Sequence, residues 1–278
     1  MTARLGALRK LTEASQLITQ YVRSNSVVLA GYFTAPAFLI IGAQRGGTKP
    51  LFRHLDFHPQ VTPSQTKEVH YFDEHYNRGV RWYHSMFPPP YEMRPDKITY
   101  EATPQYLFHP DVPARIHAYN PTIRLIVLLR NPIDRAFSAW NMPGVKKGGY
   151  ASFDDMVLGE LAKISRAGTG YPGKGMPDYL QVGIYVEQLT RYFAYFSREQ
   201  ILILRNRELK REPRKALRKV ELHLGLRKHV WQAEEYKPPK QQAPAEPMKP
   251  DTHALLAEFY RSYNEQLYQL LDVNYEWE

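Results

Sequence analysis

Two apolar rhythms alternate along the chain. Unbroken apolar runs, the mark of strands buried on both faces, occur at Phe38-Leu39-Ile40-Ile41, Leu125-Ile126-Val127-Leu128-Leu129 and Ile201-Leu202-Ile203-Leu204, and Ile98 to Glu101 reads as a further short strand. Between them the apolar residues recur at helical spacing, which predicts helices over 49–57, 132–140, 153–164, 179–196, 213–224 and 251–271. Asn131-Pro132 supplies a cap and a first-turn proline for the second of these. Leu5, Leu8, Leu11, Leu17, Ile18, Tyr21 and Val22 predict one more amphipathic helix ahead of the first strand.

This order implies an α/β fold, a mostly parallel central sheet flanked by helices, with ligands bound beyond the carboxyl ends of the strands. Residues 1–36 read as an N-terminal helical extension and 37–278 as one domain. Glycine and lysine mark an excursion at about 141–177 over the ligand edge, and proline and lysine mark a loop at 237–250. The apolar stretch 27–43 is broken by Pro36 and a glycine turn, and a span needs about 20 clean apolar residues, so no membrane span is expected.

Composition narrows the chemistry. The chain has no cysteine, which excludes disulfides, thiolate metal sites and cysteine nucleophiles and suits a reducing compartment, so a cytoplasmic location is expected. Lys plus Arg number 37 against 28 Asp plus Glu, a net +9 that points to an anionic ligand. The basic residues are dispersed and carry no nucleic-acid reader motif, so nucleic acid is not the expected partner.

Gly42-Ala43-Gln44-Arg45-Gly46-Gly47-Thr48-Lys49 stands between a strand and a helix. Paired glycines let backbone amides approach an anion, and the helix start adds partial positive charge. Arg45 and Lys49 add full charges and Thr48 a hydroxyl, which together describe a phosphate site. The nucleotide-hydrolase loop ends G-K-[ST], whereas here Thr48-Lys49 reverses the pair. Arg130 ends the second strong strand where a magnesium-organising acid would stand, so the pattern predicts a metal-free site with a second anion subsite. His54 and His58 have metal-like spacing but no third ligand nearby, and a partly exposed helical face is expected instead.

Together these features resemble the sulfotransferases that use 3′-phosphoadenosine 5′-phosphosulfate (PAPS), in particular the branch with heparan sulfate sulfotransferases and bacterial relatives. Residues 42–48 look like the family's 5′-phosphosulfate loop, which places Arg45, Gly46, Gly47, Thr48 and Lys49 on the donor. Arg130-Asn131-Pro132 through Arg135-Ala136-Phe137-Ser138 looks like its 3′-phosphate motif, with Arg130 and Ser138 as the holders and Arg135 alternatively an exposed helix cation. Lys67-Glu68-Val69-His70-Tyr71-Phe72-Asp73 is similar to the segment with the catalytic glutamate, and Glu101-Ala102-Thr103-Pro104-Gln105-Tyr106 to a further active-site segment.

The resemblance implies sulfuryl transfer from PAPS to an acceptor hydroxyl of a glycan, an alcohol or a carrier-bound hydroxyacyl chain. Adenosine 3′,5′-bisphosphate is the product, with no metal. Glu68 is the implied base, its alternative being a surface salt bridge with Lys67. His70 has two roles open to it, orienting or relaying at the site and lining a wall. Relatives that modify glycans commonly carry lysine at the positions of Arg45 and Ala102; arginine keeps the charge but is no acid near neutrality. Lys237 and Lys240 are placed to cover the nucleotide or to form a solvated cluster. The competing functions are a phosphate-loop kinase or hydrolase and a nucleotide-binding relative without turnover.

Overall fold

The computed structural model describes residues 33–144, 148–173, 178–232, 235 and 247–277. The helix expected within 1–36, and Lys237 and Lys240, lie outside these residues.

Five strands, β1 (Phe38–Gly42), β2 (Val61–Pro63), β3 (Ile98–Ala102), β4 (Arg124–Leu129) and β5 (Ile201–Arg205), form one sheet in the order β2-β3-β1-β4-β5. Every pairing is parallel. The helices are α1 (Thr48–Asp56), α2 (Gly79–His84), α3 (Val112–Tyr119), α4 (Pro132–Trp140), α5 (Phe153–Ala167), α6 (Tyr185–Phe193), α7 (Asn206–Arg211), α8 (Pro213–Leu224) and α9 (Pro250–Leu271).

Side chains alternate across each strand, so one apolar run feeds two cores. Leu39, Ile41, Leu125 and Val127 pack with Tyr106, Leu180, Tyr185 and Leu189 on one face. Phe38, Ile40, Ile126 and Leu128 pack with Leu51, Leu55, Leu217 and Val220 on the other. The strong strands and α8 fall where the periodicity puts them.

The helix expected over 179–196 is a correction, since it runs only from Tyr185 to Phe193. The amides of Tyr179 and Leu180 donate instead to the Glu160 carboxylate at 2.8 to 3.0 Å, and Gly183 packs against Pro132 and Tyr260 so closely that a Cβ would lie 2.9 and 2.8 Å from them. A carboxylate 19 residues before the segment thus holds the amides at its start. The edge strand β2 and the short helices α2, α3 and α7 carry too few apolar residues to stand out in the sequence.

The chain leaves β1, crosses to β2, returns through β3 between them, and only then reaches β4 on the other side of β1. This reversal opens a crevice beyond the carboxyl ends of β3, β1 and β4, the position at which open α/β sheets bind ligands.

Candidate active site at the carboxyl edge of the sheet

The loop after β1 is folded by its own backbone. The Ala43 amide donates to the Leu128 carbonyl at 2.9 Å and the Gly46 amide to the Ala43 carbonyl at 2.8 Å. A Cβ on Gly46 would lie 2.1 Å from the Leu128 carbonyl oxygen, so glycine is required there. Gly47 takes φ 110°, which glycine adopts freely, and caps α1 without a side-chain acceptor. The Asn206 amide, from the start of α7, donates to the Gly46 carbonyl at 2.7 Å and ties the loop to β5. With no acidic residue in its first turn, α1 offers its opening amides to an anion. Thr48 is buried there and Lys49 is exposed.

Arg45 has φ 64°, and its side chain crosses to α4. Its Nε and Nη2 donate to Ser138 Oγ at 3.1 and 3.0 Å, and Nη1 reaches Met142 Sδ at 3.4 Å. Arg130, one residue beyond β4, has its Nε 3.9 Å from Asp134, while its carbonyl accepts from the Tyr185 hydroxyl at 2.9 Å. Asn131 caps α4 through the Ile133 amide at 2.9 Å. The two anion subsites, read in the sequence as opposite ends of one ligand, therefore meet through the Arg45–Ser138 contact.

Arg135 is fully buried, which corrects its reading as an exposed helix cation. Its guanidinium donates to the Tyr179 carbonyl and so fastens the returning end of the excursion to α4. Burial, and after it the neighbouring guanidinium groups, lowers the pKa of Arg45. Arg130 is lowered chiefly by burial, with Asp134 opposing and Arg135 assisting. Like charges held this close define a place for a polyanion.

Beyond β3 stands the acidic half of the site. Lys67 Nζ lies 2.9 Å from Glu68 Oε1, and His70 Nε2 lies 3.4 Å from Glu68 Oε2. The other ring nitrogen, His70 Nδ1, pairs with Asp73 Oδ2 at 2.9 Å, and the Asp73 side chain is only 2% exposed. Burial works to lower the His70 pKa, but the hydrogen bonds and charges of Asp73 and Glu68 overcome it and raise it to about 10. Burial likewise pushes Glu68 up, yet His70 and Lys67 together leave it below the ordinary glutamate value. At neutral pH the pair is a carboxylate beside an imidazolium.

His70 and Glu68 meet although the backbone between them is not extended, since His70 has φ 55°. Asp73, Asn206 and the buried Glu101 were not singled out in the sequence. Asp73 carried a signal, its place three residues after His70; Asn206 carried none. His54 and His58 are 7% and 2% exposed, against the expected partly exposed face. They pair with the carbonyls of Glu235 at 2.7 Å and Arg227 at 3.2 Å, because the chain after α8 folds over α1. Tyr71 and Phe72 are core residues.

Comparison with known proteins agrees with this geometry. A heparan sulfate glucosamine 3-O-sulfotransferase 6 from Homo sapiens is 30% identical over 87% of this chain and 73% of its own length. The crystal structure of a sulfotransferase from Alicyclobacillus acidocaldarius superposes with a TM-score of 0.68 at 27% identity, covering 87% of this chain and 97% of that one. A sulfotransferase from Mycobacterium avium shares the fold at a TM-score of 0.56 and 14% identity. The sulfotransferase domain family matches residues 35–251, and with that match and the 30% identical relative the chain belongs to the sulfotransferase family as an enzyme of that class.

Proposed function

We propose that the protein transfers the sulfuryl group of PAPS to a hydroxyl-bearing acceptor, with Glu68 as general base. The observation that carries this reading is the juxtaposition of three neighbouring parallel strand ends. β1 leads into the glycine loop, β4 into Arg130 and the Ser138 helix, and β3 into the turn whose Thr103 hydroxyl holds the Glu68–His70 segment. When bound, the donor supplies a sulfuryl group already activated as a mixed anhydride with phosphate.

The residues present fit such a ligand. Gly46, Gly47, Thr48 and Lys49 would hold the phosphosulfate end at the start of α1, and Arg130 and Ser138 the 3′-phosphate. Arg45, bound to Ser138 yet rooted in the glycine loop, adds charge on the leaving side and donates no proton. Glu68 is ionised at neutral pH and takes the acceptor hydroxyl proton as the new oxygen–sulfur bond forms and the bond to the leaving phosphate breaks. His70, already protonated, orients Glu68 and has no free nitrogen for a relay.

A glycan hydroxyl is the first acceptor to test, on the strength of the 3-O-sulfotransferase relative. Ala102, fully buried, brings no charge to the acceptor side, which favours acceptors that need no cation there. The absence of cysteine supports a reducing compartment.

The test is thermal stabilisation by adenosine 3′,5′-bisphosphate and by ATP, each with magnesium and with EDTA, followed by labelled-sulfate transfer from PAPS to heparan sulfate, simple alcohols and hydroxyacyl carriers. At about 100 times its dissociation constant the bisphosphate should add about 2.7 kcal/mol, with or without EDTA. A response to ATP and magnesium alone defeats the donor assignment. Bisphosphate binding without transfer to any acceptor class points to a relative without turnover.

A further inference from the structure

Glu101 lies in the interior behind the site and touches none of the groups that would meet donor or acceptor. It is 0% exposed, and its carboxylate collects three hydroxyls: Tyr83 at 3.0 Å and Tyr106 at 2.8 Å on Oε1, and Thr103 at 2.6 Å on Oε2. Two of these hydroxyls have a second task. Thr103 Oγ1 accepts from the amides of Val69 at 3.1 Å and His70 at 3.3 Å. Tyr106 Oη accepts from the amides of Tyr71 at 2.8 Å and Phe72 at 3.3 Å.

Four successive amides thus hang on two hydroxyls, and both hydroxyls on one carboxylate. The direction of every bond is dictated. An amide can only donate, so each hydroxyl oxygen is committed as an acceptor and its single proton must point elsewhere. For Thr103 and Tyr106 it points at Glu101, which takes all three hydroxyl protons only while it is ionised and purely an acceptor. A proton on Glu101 must be donated back either to Thr103 or Tyr106, whose lone pairs are already taken, which releases an amide, or to Tyr83, which turns the buried Tyr83 proton away from its acceptor.

The held amides span His70, the residue with φ 55°, a conformation uncommon for a side chain with a Cβ. We propose that Glu101 is a positioning residue, which fixes the 69–72 backbone through Thr103 and Tyr106 and thereby aims the Glu68–His70–Asp73 charges. The inference rests on the functional reading above for its catalytic readout, but not for its structural one.

Burial pushes the Glu101 carboxyl up to about 7 against the pull of its three hydroxyl donors, with Asp73 adding to the rise. The groups facing it are Tyr83 of α2, Thr103 and Tyr106 beyond β3, Asp73 of the held segment, and Tyr119 of α3, whose ring lies 5.4 Å from that of Tyr83. The tyrosines stay neutral in this range, each being raised by burial. Ionisation near neutrality therefore gives two opposed trends. Turnover rises with pH through about 7, as the cradle acquires its acceptor. The stability contributed by Glu101 falls as pH rises from the ordinary glutamate value, 4.5, to about 7 and is gone above it, because a carboxyl whose folded pKa lies above its unfolded one binds its proton more tightly when folded.

The experiment compares the full chain with Glu101→Gln, Thr103→Val and Tyr106→Phe. Readouts are amide hydrogen exchange at 69–72, bisphosphate binding, and the pH profiles of kcat and thermal stability, with PAPS and heparan sulfate as first acceptor probe, or the acceptor found by the screen. Glu101→Gln should speed exchange at 69–72 and lower kcat by roughly tenfold each, the value of one charge-assisted hydrogen bond. Bisphosphate affinity should stay the same. The acid limb of kcat near pH 7 should vanish, and the variant should lack the fall in stability that Glu101 gives the wild type; Glu160, also raised to about 7, is present in both proteins and cancels in that difference.

Thr103→Val should free the amides of Val69 and His70 alone, and Tyr106→Phe those of Tyr71 and Phe72 alone. These arms decide the matter if Glu101→Gln does not fold. Unchanged exchange at 69–72 in the variants, or a Glu101→Gln enzyme that keeps both its kcat and its acid limb, overturns the proposal. A wild-type protein that transfers sulfate to no acceptor sinks the functional reading instead, and the exchange pattern then decides the cradle by itself.

Discussion

The glycine loop and the 67–73 segment flank the same crevice, yet they are held by opposite means. The loop is a matter of backbone: its shape comes from main-chain bonds to Ala43 and Leu128, from two glycines and from one side chain, Asn206. The charged segment hangs on hydroxyls that reach it from another strand and are themselves oriented by a buried carboxylate. An anion-binding loop needs amides at fixed positions and tolerates exposure. A base and its partner need particular ionisation states, and those are set by charges and burial contributed from a distance. The two halves should therefore fail differently.

The largest expected effect separates binding from turnover. Glu68→Gln should leave bisphosphate stabilisation intact and cost transfer roughly 10²-fold or more, measured under single-turnover conditions. Equal activity would remove the base from the acidic half of the comparison. Gly46→Ala should do the reverse at the level of stability. With a Cβ driven to 2.1 Å from the Leu128 carbonyl, unfolding should become easier by about 1–3 kcal/mol and the bisphosphate response should be lost, both read from denaturant titrations.

Asn206→Ala is a milder probe of the same half. It leaves the Gly46 carbonyl without its donor and should cost roughly 1 kcal/mol, weakening nucleotide binding with little change in the pH profile of the bound enzyme. The smallest effect is in the acidic half and is spectroscopic. His70 should stay protonated to about pH 10 by NMR titration, and Asp73→Asn should lower that midpoint. Because its folded pKa is raised, His70 contributes stability that is complete below the ordinary histidine value and disappears as pH rises through about 10. A midpoint near 6.5 would mean that the Asp73 contact does not govern the ring.

The same contrast decides what could be read from the chain. Strands β1, β4 and β5 are apolar runs, and the loop after β1 is a contiguous pattern of glycine and cation, so local sequence carries both. Arg130 and Ser138 are separated by one cap and two helical turns and were equally legible. The held segment is different. Glu68 and His70 could be named from resemblance, but Asp73's contact depends on a turn, and Glu101 sits 31 positions from His70 in sequence and reaches its segment only through the Thr103 and Tyr106 hydroxyls. His54 and His58 were misjudged for a related reason: their partners arrive from residues 227 and 235, which no helical periodicity can foretell.

The buried Arg135 carries a consequence for how such a fold diversifies. The strand of chain that departs from α4 at Asn141 comes home at Tyr179, where the Arg135 guanidinium and the Glu160 carboxylate clasp it. Both feet of that detour thus stand on or beside the helix that bears Ser138. Phe153, Met156, Val157 and Glu160 of α5, inside the detour, are themselves buried, so a change of length or chemistry there leaves the sheet's cover intact only where it keeps those four side chains in place.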